Sequence, residues 1–490
     1  MPDTQVTEMD PVEFMRSKAF VVVLVLSVIV GVIVSFLSWA FLEAVYQVGQ
    51  LYYDHLPSSL GFETVPVWWC LPALFIAGFI TAFAIDRLPG GGGHIPAEGL
   101  KASPTLPIAL PGVILAALAG IGLGVVLGPE APLMAIGGGI GYLLVRIVKS
   151  DAPPALGQLI SVAGIFAGLS FLFGSPVIAA VIVIEASGLG GRRLPLLLIP
   201  GLLAAGIGSV VSTGLGSWTG VDMSDITIQL LKLPSYPTPD LVSFLWTVPL
   251  AVVIAAATYL IFRIGRATKE QAGPRPFLVL PAVGLIVGGL AIAFQEITGK
   301  GTDQVLFSGQ DSIGGLVANS SEWSLGALAA LILFKGIAYG LSLGSFRGGP
   351  TFPAMLIGAA AGLMATHLPG FDLAPAVAVG IGCGVVAVLR LPLSAVVLAT
   401  LLTSQAGLGV TPLVVLGVAV TYLVINALDP KDPPDPADLE PAPAAAPAKT
   451  DAAPAAPAAA DEDNNPRYKQ IKSPMVGTFY RAASPAGKPF

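Results

Sequence analysis

The stretch GPEAPLMAIG, residues 128–137, recurs as GPTFPAMLIG at residues 349–358. The two copies share Gly128/Gly349, Pro129/Pro350, Pro132/Pro353, Met134/Met355, Ile136/Ile357 and Gly137/Gly358. A second pair follows in the same order. Gly164, Ile165, Gly168, Pro176, Ala179 and Val181 match Gly380, Ile381, Gly384, Pro392, Ala395 and Val397. The offsets, 221 and 216 residues, nearly agree. Two ordered matches at nearly equal offsets make chance similarity of Gly-rich apolar stretches a poor account. The chain therefore holds two halves of about 200 residues built on one plan. Gly/Pro-interrupted apolar segments at corresponding places in two halves point to a transporter's binding site.

The surrounding composition agrees. Of 490 residues, 54% are hydrophobic and 11% charged, with a mean hydropathy of +0.82. A soluble fold needs far more surface charge, so the chain is a polytopic, all-α membrane protein. A net charge of −6 gives no signal for nucleic acid. Cys70 and Cys383 each sit in an apolar run and read as small core residues. His55, His94 and His367 are too scattered for a metal cluster.

Residues 1–18 form a polar N-terminal segment ending in Arg16 and Lys18, a basic flank expected on the cytoplasmic side. The first repeat covers 19–215 and the second 242–428, joined by the more polar 216–241. Several apolar runs fall short of the ~20 residues that span a bilayer. Broken helices are tolerated only where protein or a cavity surrounds them. Residues 429–466 are Asp, Pro and Ala with little else, a linker composition. Residues 467–490 regain an ordered character.

Chemistry concentrates at few positions. Glu130 is the one charged residue between Ala102 and Val145, as Glu185 is between Ala152 and Gly191. An ionisable group within a membrane span is a functional candidate by default. Glu130 follows Gly128-Pro129 at a predicted helix start, where free N–H groups and the helix dipole favour negative charge. A mobile anion is drawn to the same place. Glu130 is therefore either a gate that vacates its seat on protonation or a fixed capping carboxylate. In the second copy Thr351 replaces it, and the amides near Gly349, Thr351 and Phe352 can cradle an anion. Arg347 just before them either raises the local potential or faces water at a helix end, the commoner case. A third segment, GGGGHIPAEGL, residues 90–100, adds glycines, His94 and a short helix from Ile95-Pro96. His94 either donates to an anion or senses pH, or is, as a lone His more often is, a structural residue. Glu98 reads as a capping charge.

Taken in order, the three segments resemble motifs of the CLC family of chloride channels and chloride/proton exchangers. GSGIP resembles Gly92-Gly93-His94-Ile95-Pro96, GREGP resembles residues 128–132, and GxFxP resembles residues 349–353. Phe173–Glu185 and the stretch from Leu391 resemble two further family segments. The resemblance covers about residues 18–428. It implies an inverted repeat of two related helical halves, a homodimer with one pore per subunit, and passage of chloride or a similar anion. It implies that Glu130 is the gating and proton-carrying glutamate. It also implies an anion path formed by Gly93, His94, Ile95, Gly128, Ala131, Gly349, Thr351 and Phe352. Glu185 is a candidate inner acid.

The chain departs from the family pattern in places. Gly93 stands for an anion-coordinating serine, Pro129 for an arginine, and Ala186 for the inner glutamate of exchangers. Pro350 removes a backbone donor, and the pore tyrosine has no counterpart. The expected function is chloride transport coupled to protons. An uncoupled channel, or a carrier of nitrate or fluoride, is the alternative. An enzyme is not expected. The expected site is the plasma (inner) membrane, with both termini cytoplasmic. The tail KSPMVGTFYRAASPAGKPF resembles the start of a biotinyl domain but lacks its lysine-bearing turn. No biotin and no other cofactor is expected.

Overall fold

The structure, a computed structural model, describes residues 11–100, 105–188, 194–219 and 228–429. The expectations for residues 430–490, linker and biotinyl-like tail, lie outside the described residues. Asp429, read as the first linker residue, is described, and it bonds back to the helical body.

The regular elements among the described residues are helices. The first half holds α1 (Pro11–Met15), α2 (Lys18–Gln50), α3 (Leu56–Ser59), α4 (Cys70–Arg87) and α5 (Leu110–Gly122). It continues with α6 (Glu130–Val148), α7 (Pro154–Phe173), α8 (Pro176–Ser187) and α9 (Leu194–Thr219). The second half holds α10 (Leu241–Ala272), α11 (Pro276–Thr298), α12 (Gln310–Ala318), α13 (Leu325–Ser345) and α14 (Thr351–Ala365). It closes with α15 (Leu373–Leu389), α16 (Pro392–Leu402) and α17 (Thr411–Leu428). Among the described residues, nine helical stretches are long and apolar enough to cross a membrane. Large apolar side chains such as Val21, Val25, Ile29 and Phe36 of α2 lie exposed, as lipid contact requires.

Among the described residues, the apolar helices of intermediate length, too short to span, are α5, α8, α14, α15 and α16. Every residue of α14 but Met364, and every residue of α15 but Leu373, is buried. Their unpaired end groups therefore meet protein, not lipid. α9 runs on to Thr219, past the expected boundary at 215. The described part of the connection runs along the ends of α7 and α16. Leu231 N–H donates to Leu402 O at 2.9 Å, and Tyr236 N–H to Ala406 O at 2.7 Å.

The repeat seen in sequence is a repeat of contacts. α2, α7 and α9 pack together, as do α10, α15 and α17. Gly137 of α6 lies against the Gly164 carbonyl of α7, and its counterpart Gly358 of α14 lies against Gly380 of α15. Gly141 meets Ile160 as Gly362 meets Ala376. A Cβ at any of these glycines would enter the facing backbone, so small residues set the helix spacing. Equivalent elements also meet each other: α4 packs on α11, and α8 on α16. Gly128 and Gly349 form an antiparallel bridge. Its pairing of equivalent residues on opposed strands is the local mark of an inverted repeat.

Candidate functional site

The Gly128–Gly349 bridge has two hydrogen bonds, Gly128 N to Gly349 O at 2.7 Å and Gly349 N to Gly128 O at 2.5 Å. It joins the segments that open α6 and α14, so two helix N-termini face one small region. Each opening turn has N–H groups without an intrahelical acceptor. Pro132 and Pro353 sit within these first turns, where the missing N–H costs least.

Glu130 is the first residue of α6 and 1% exposed. Its carboxylate reaches beyond the start of its own helix. It crosses to the other half, where Oε1 accepts from Thr351 N–H at 2.6 Å, the first amide of α14. Oε2 is buried without a hydrogen-bond partner. The carboxylate lies so close to Gly128 and Gly349 that a Cβ at either would collide with it. Those glycines are required by the approach of the acid. Phe352, the next residue of α14, is fully buried and stacks on Phe173 with ring centroids 5.7 Å apart. The Tyr339 hydroxyl of α13 donates to Pro350 O at 2.6 Å and holds the segment from behind.

The third segment approaches from the first half. Gly90, Gly91, Gly92 and Gly93 have φ of 81°, 57°, 72° and 104°, a left-handed run that other residues resist. A short 3-10 turn, Pro96–Glu98, follows. His94 Nε2 donates to the Gly99 carbonyl, which orients the ring. A cavity of about 250 Å³ lies between Gly93, His94, Ala131, Arg347 and Gly348.

The expected residues divide accordingly. Glu130, Gly128, Gly349, Thr351 and Phe352 form one cluster. Gly93, His94 and Ala131 share the adjoining cavity, and Ile95 is not among its lining residues. Glu185 stands elsewhere. Its carboxylate caps α16, accepting from Leu393 N at 2.9 Å and from Ser394 N and Oγ at 2.7 Å. Glu98 pairs with Lys269 at 2.9 Å, beyond the capping reading.

Two cations differ from the sequence reading. Arg347 does not face water: it is 8% exposed and lines the cavity. Lys335 of α13 was not singled out, although it is the one charge between Glu322 and Arg347. The rule that draws attention to Glu130 applies equally to it. It is fully buried, and its ammonium donates to the carbonyls of Gln304, Val305, Leu306 and Phe307 at 3.0–3.4 Å.

Comparison with known proteins bears on the family and the fold. Residues 98–426 match the family model described as voltage gated chloride channel. A Salmonella newport (strain SL254) protein, "Putative ion-transport protein YfeO", is 29% identical over 355 residues, covering 71% of this chain and 81% of that protein. The same-named protein of Salmonella paratyphi A (strain ATCC 9150 / SARB42) aligns over the same shares at 29%. A slow cyanobacterial Cl−/H+ antiporter superposes with a TM-score of 0.68 at 21% identity, covering 84% of this chain and 95% of that one. A CLC-type fluoride/proton antiporter gives 0.61 at 18%, covering 83% and 96%. The family match covers most of the chain and ends within its last described helix, and the fold is the one the antiporters share. The chain is a multi-pass membrane protein of the voltage gated chloride channel family, the CLC family of anion transporters.

Proposed function

We propose that this protein exchanges chloride for protons, with Glu130 as the group that binds both in turn. The observation that carries the reading is the 2.6 Å bond from Thr351 N–H to Glu130 Oε1. A carboxylate on the first amide of a buried helix occupies a seat suited to any small anion. Ionised, Glu130 fills the seat and blocks it. Protonated, it loses the charge that holds it there. Chloride then takes the N–H groups of Thr351 and Phe352. The proton leaves towards the other side when the acid ionises and returns to its seat. Gly128 and Gly349 leave the room this exchange needs.

Chloride is preferred over other anions here because the family match is to chloride channels. The structural neighbours named for chloride and for fluoride leave fluoride as a second cargo to test. One observation favours an uncoupled channel as the second reading: Ala186 stands where the family resemblance places an inner acid, and Glu185 beside it is engaged at α16. We further infer a homodimer in the inner membrane with cytoplasmic termini. The family resemblance and the basic Arg16 and Lys18 flank support this.

The test is proton movement in liposomes holding the purified full chain under an imposed chloride gradient. The expected result is uphill proton movement. In Glu130→Gln that movement disappears, while chloride flux persists and no longer depends on pH. A pH-dependent flux unchanged in Glu130→Gln removes Glu130 from the gate. Chloride flux without proton movement in the native chain makes it a channel.

A further inference from the structure

α13 carries two fully buried polar side chains one turn apart, Lys335 and Tyr339. Both hold backbone, and that backbone leads to Glu130 from its two sides. Lys335 Nζ gathers the carbonyls of residues 304–307. A buried ammonium has to be bonded this fully, so the loop is held in one position. The loop in turn reaches the first half, where Phe307 N–H donates to Gly124 O at 3.0 Å. Gly124 opens the buried stretch that ends at the bridge residue Gly128 and at Glu130. Tyr53 braces the same junction. Its ring packs on Phe307 with centroids 5.5 Å apart, and its hydroxyl donates to Leu123 O at 3.0 Å. Tyr339 acts on the other side of the bridge. It holds Pro350 O, directly before the Thr351 amide that seats Glu130.

We propose that Lys335 and Tyr339 are positioning residues of the gate: one buried face of α13 sets the distance between the Glu130 segment and the amide that receives its carboxylate. The inference rests on the reading of Glu130 as the gate and adds the residues that hold it to register. The bond from Thr351 N–H favours the ionised, seated acid, and it weakens steeply with misalignment. Loosening either segment therefore lets Glu130 protonate and leave at a higher pH. The titratable groups facing this network are Tyr53 at Gly124, Asp303 in the loop, and Tyr339 and Arg347 beside the seat. The competing account is that the two side chains only stabilise the fold.

The test is the pH of half-maximal chloride flux in liposomes, a value that does not depend on how much protein is folded. Lys335→Met removes the ammonium, and Tyr339→Phe removes one hydroxyl and no charge. Each is expected to move the midpoint up by about half a pH unit or more, the scale of one weakened hydrogen bond. Asp240→Ala, a destabilised control outside the network, is expected to keep the native midpoint. Deuterium exchange at residues 123–128 is expected to quicken in Lys335→Met. A native midpoint in either α13 variant overturns the proposal. So does an equal shift in Asp240→Ala, which makes the effect one of stability. A shift in Lys335→Met with native exchange at 123–128 also overturns it, as an effect of lost charge alone. If Lys335→Met does not fold, Tyr339→Phe decides. The wider reading fails separately: pH dependence unchanged in Glu130→Gln removes the gate and the positioning role with it. PH dependence abolished in Glu130→Gln but native in both α13 variants overturns only the positioning role.

Discussion

Lys335 shows how a single residue in a membrane protein can organise a loop far from it in the chain. Its ammonium has no exposed surface and replaces lost hydration with four carbonyls from residues 304–307. Phe307 in that loop adopts a positive φ of 58°. Lys335→Met keeps the length and removes the donors, which leaves buried carbonyls unpaired. One unsatisfied buried polar group costs about 1–3 kcal/mol, so Lys335→Met is expected to lose at least about 2 kcal/mol. Thermal unfolding in detergent checks this. A variant as stable as the native chain would mean that water or backbone motion satisfies the loop without the lysine. Glu130 was legible from sequence because its cause is local: a lone acid after Gly-Pro at a helix start. Arg347 was not. Its burial depends on the Gly91 carbonyl, 256 residues away, and nothing near Arg347 in sequence announces that. Glu185 is a similar case, with its capping partners 208 and 209 residues distant.

Helix limits were legible where hydropathy and punctuation coincide, as at Pro154, Pro176, Pro392 and the Gly174 and Gly188 stops. The repeat was legible because close helix packing demands glycine at fixed places, and Gly137, Gly164, Gly358 and Gly380 meet that demand pairwise. α12 is not legible in this way: its sequence, QDSIGGLVA, is short and polar at its start. Outside the membrane spans, α10 begins with a cap that sets a pH dependence. Asp240 accepts from Ser243 N and Oγ at 2.8 Å and from the Tyr236 hydroxyl at 2.7 Å. Burial alone would raise its pKa. The hydrogen bonds from Tyr236 and Ser243 outweigh that and hold the carboxyl below its ordinary range. A depressed folded-state value stabilises the fold above the unfolded value, about 3.9. That stabilisation is lost as pH falls through the folded value. Asp240→Ala is expected to cost about 1 kcal/mol at neutral pH. The gap between native and variant melting temperatures should narrow below about pH 4. A gap that stays constant from pH 7 into that acid range would show that the carboxylate's charge contributes nothing to the cap.

At the scale of the whole molecule, the open matter is where the transporting body ends. Composition puts the change of character at residue 429, but physical contact puts Asp429 inside the body. Its Oδ2 accepts from Arg390 Nη2 at 2.9 Å and also from Arg266. Arg390 ends α15 at a φ of 58°, and its Nη1 donates to Asp429 O at 3.1 Å. Three helices, α10, α15 and α17, are thus tied at their ends by one carboxylate. The Arg390 and Asp429 side chains are 9% and 14% exposed, so the pair is largely desolvated. Removing one partner of such a pair leaves a buried charge uncompensated, at about 3 kcal/mol or more. A truncation and a substitution therefore have opposite outcomes. A chain ending at Pro434 keeps the pair and is expected to transport and melt like the full protein. A full-length Asp429→Ala chain keeps the tail and is expected to unfold several degrees lower, with flux falling in proportion to the folded fraction. Liposome flux and thermal unfolding read both. Lost transport in the chain ending at Pro434, with Asp429→Ala unaffected, would move the functional boundary into residues 435–490. It would make the tail part of the transport machinery and not an appendage to it.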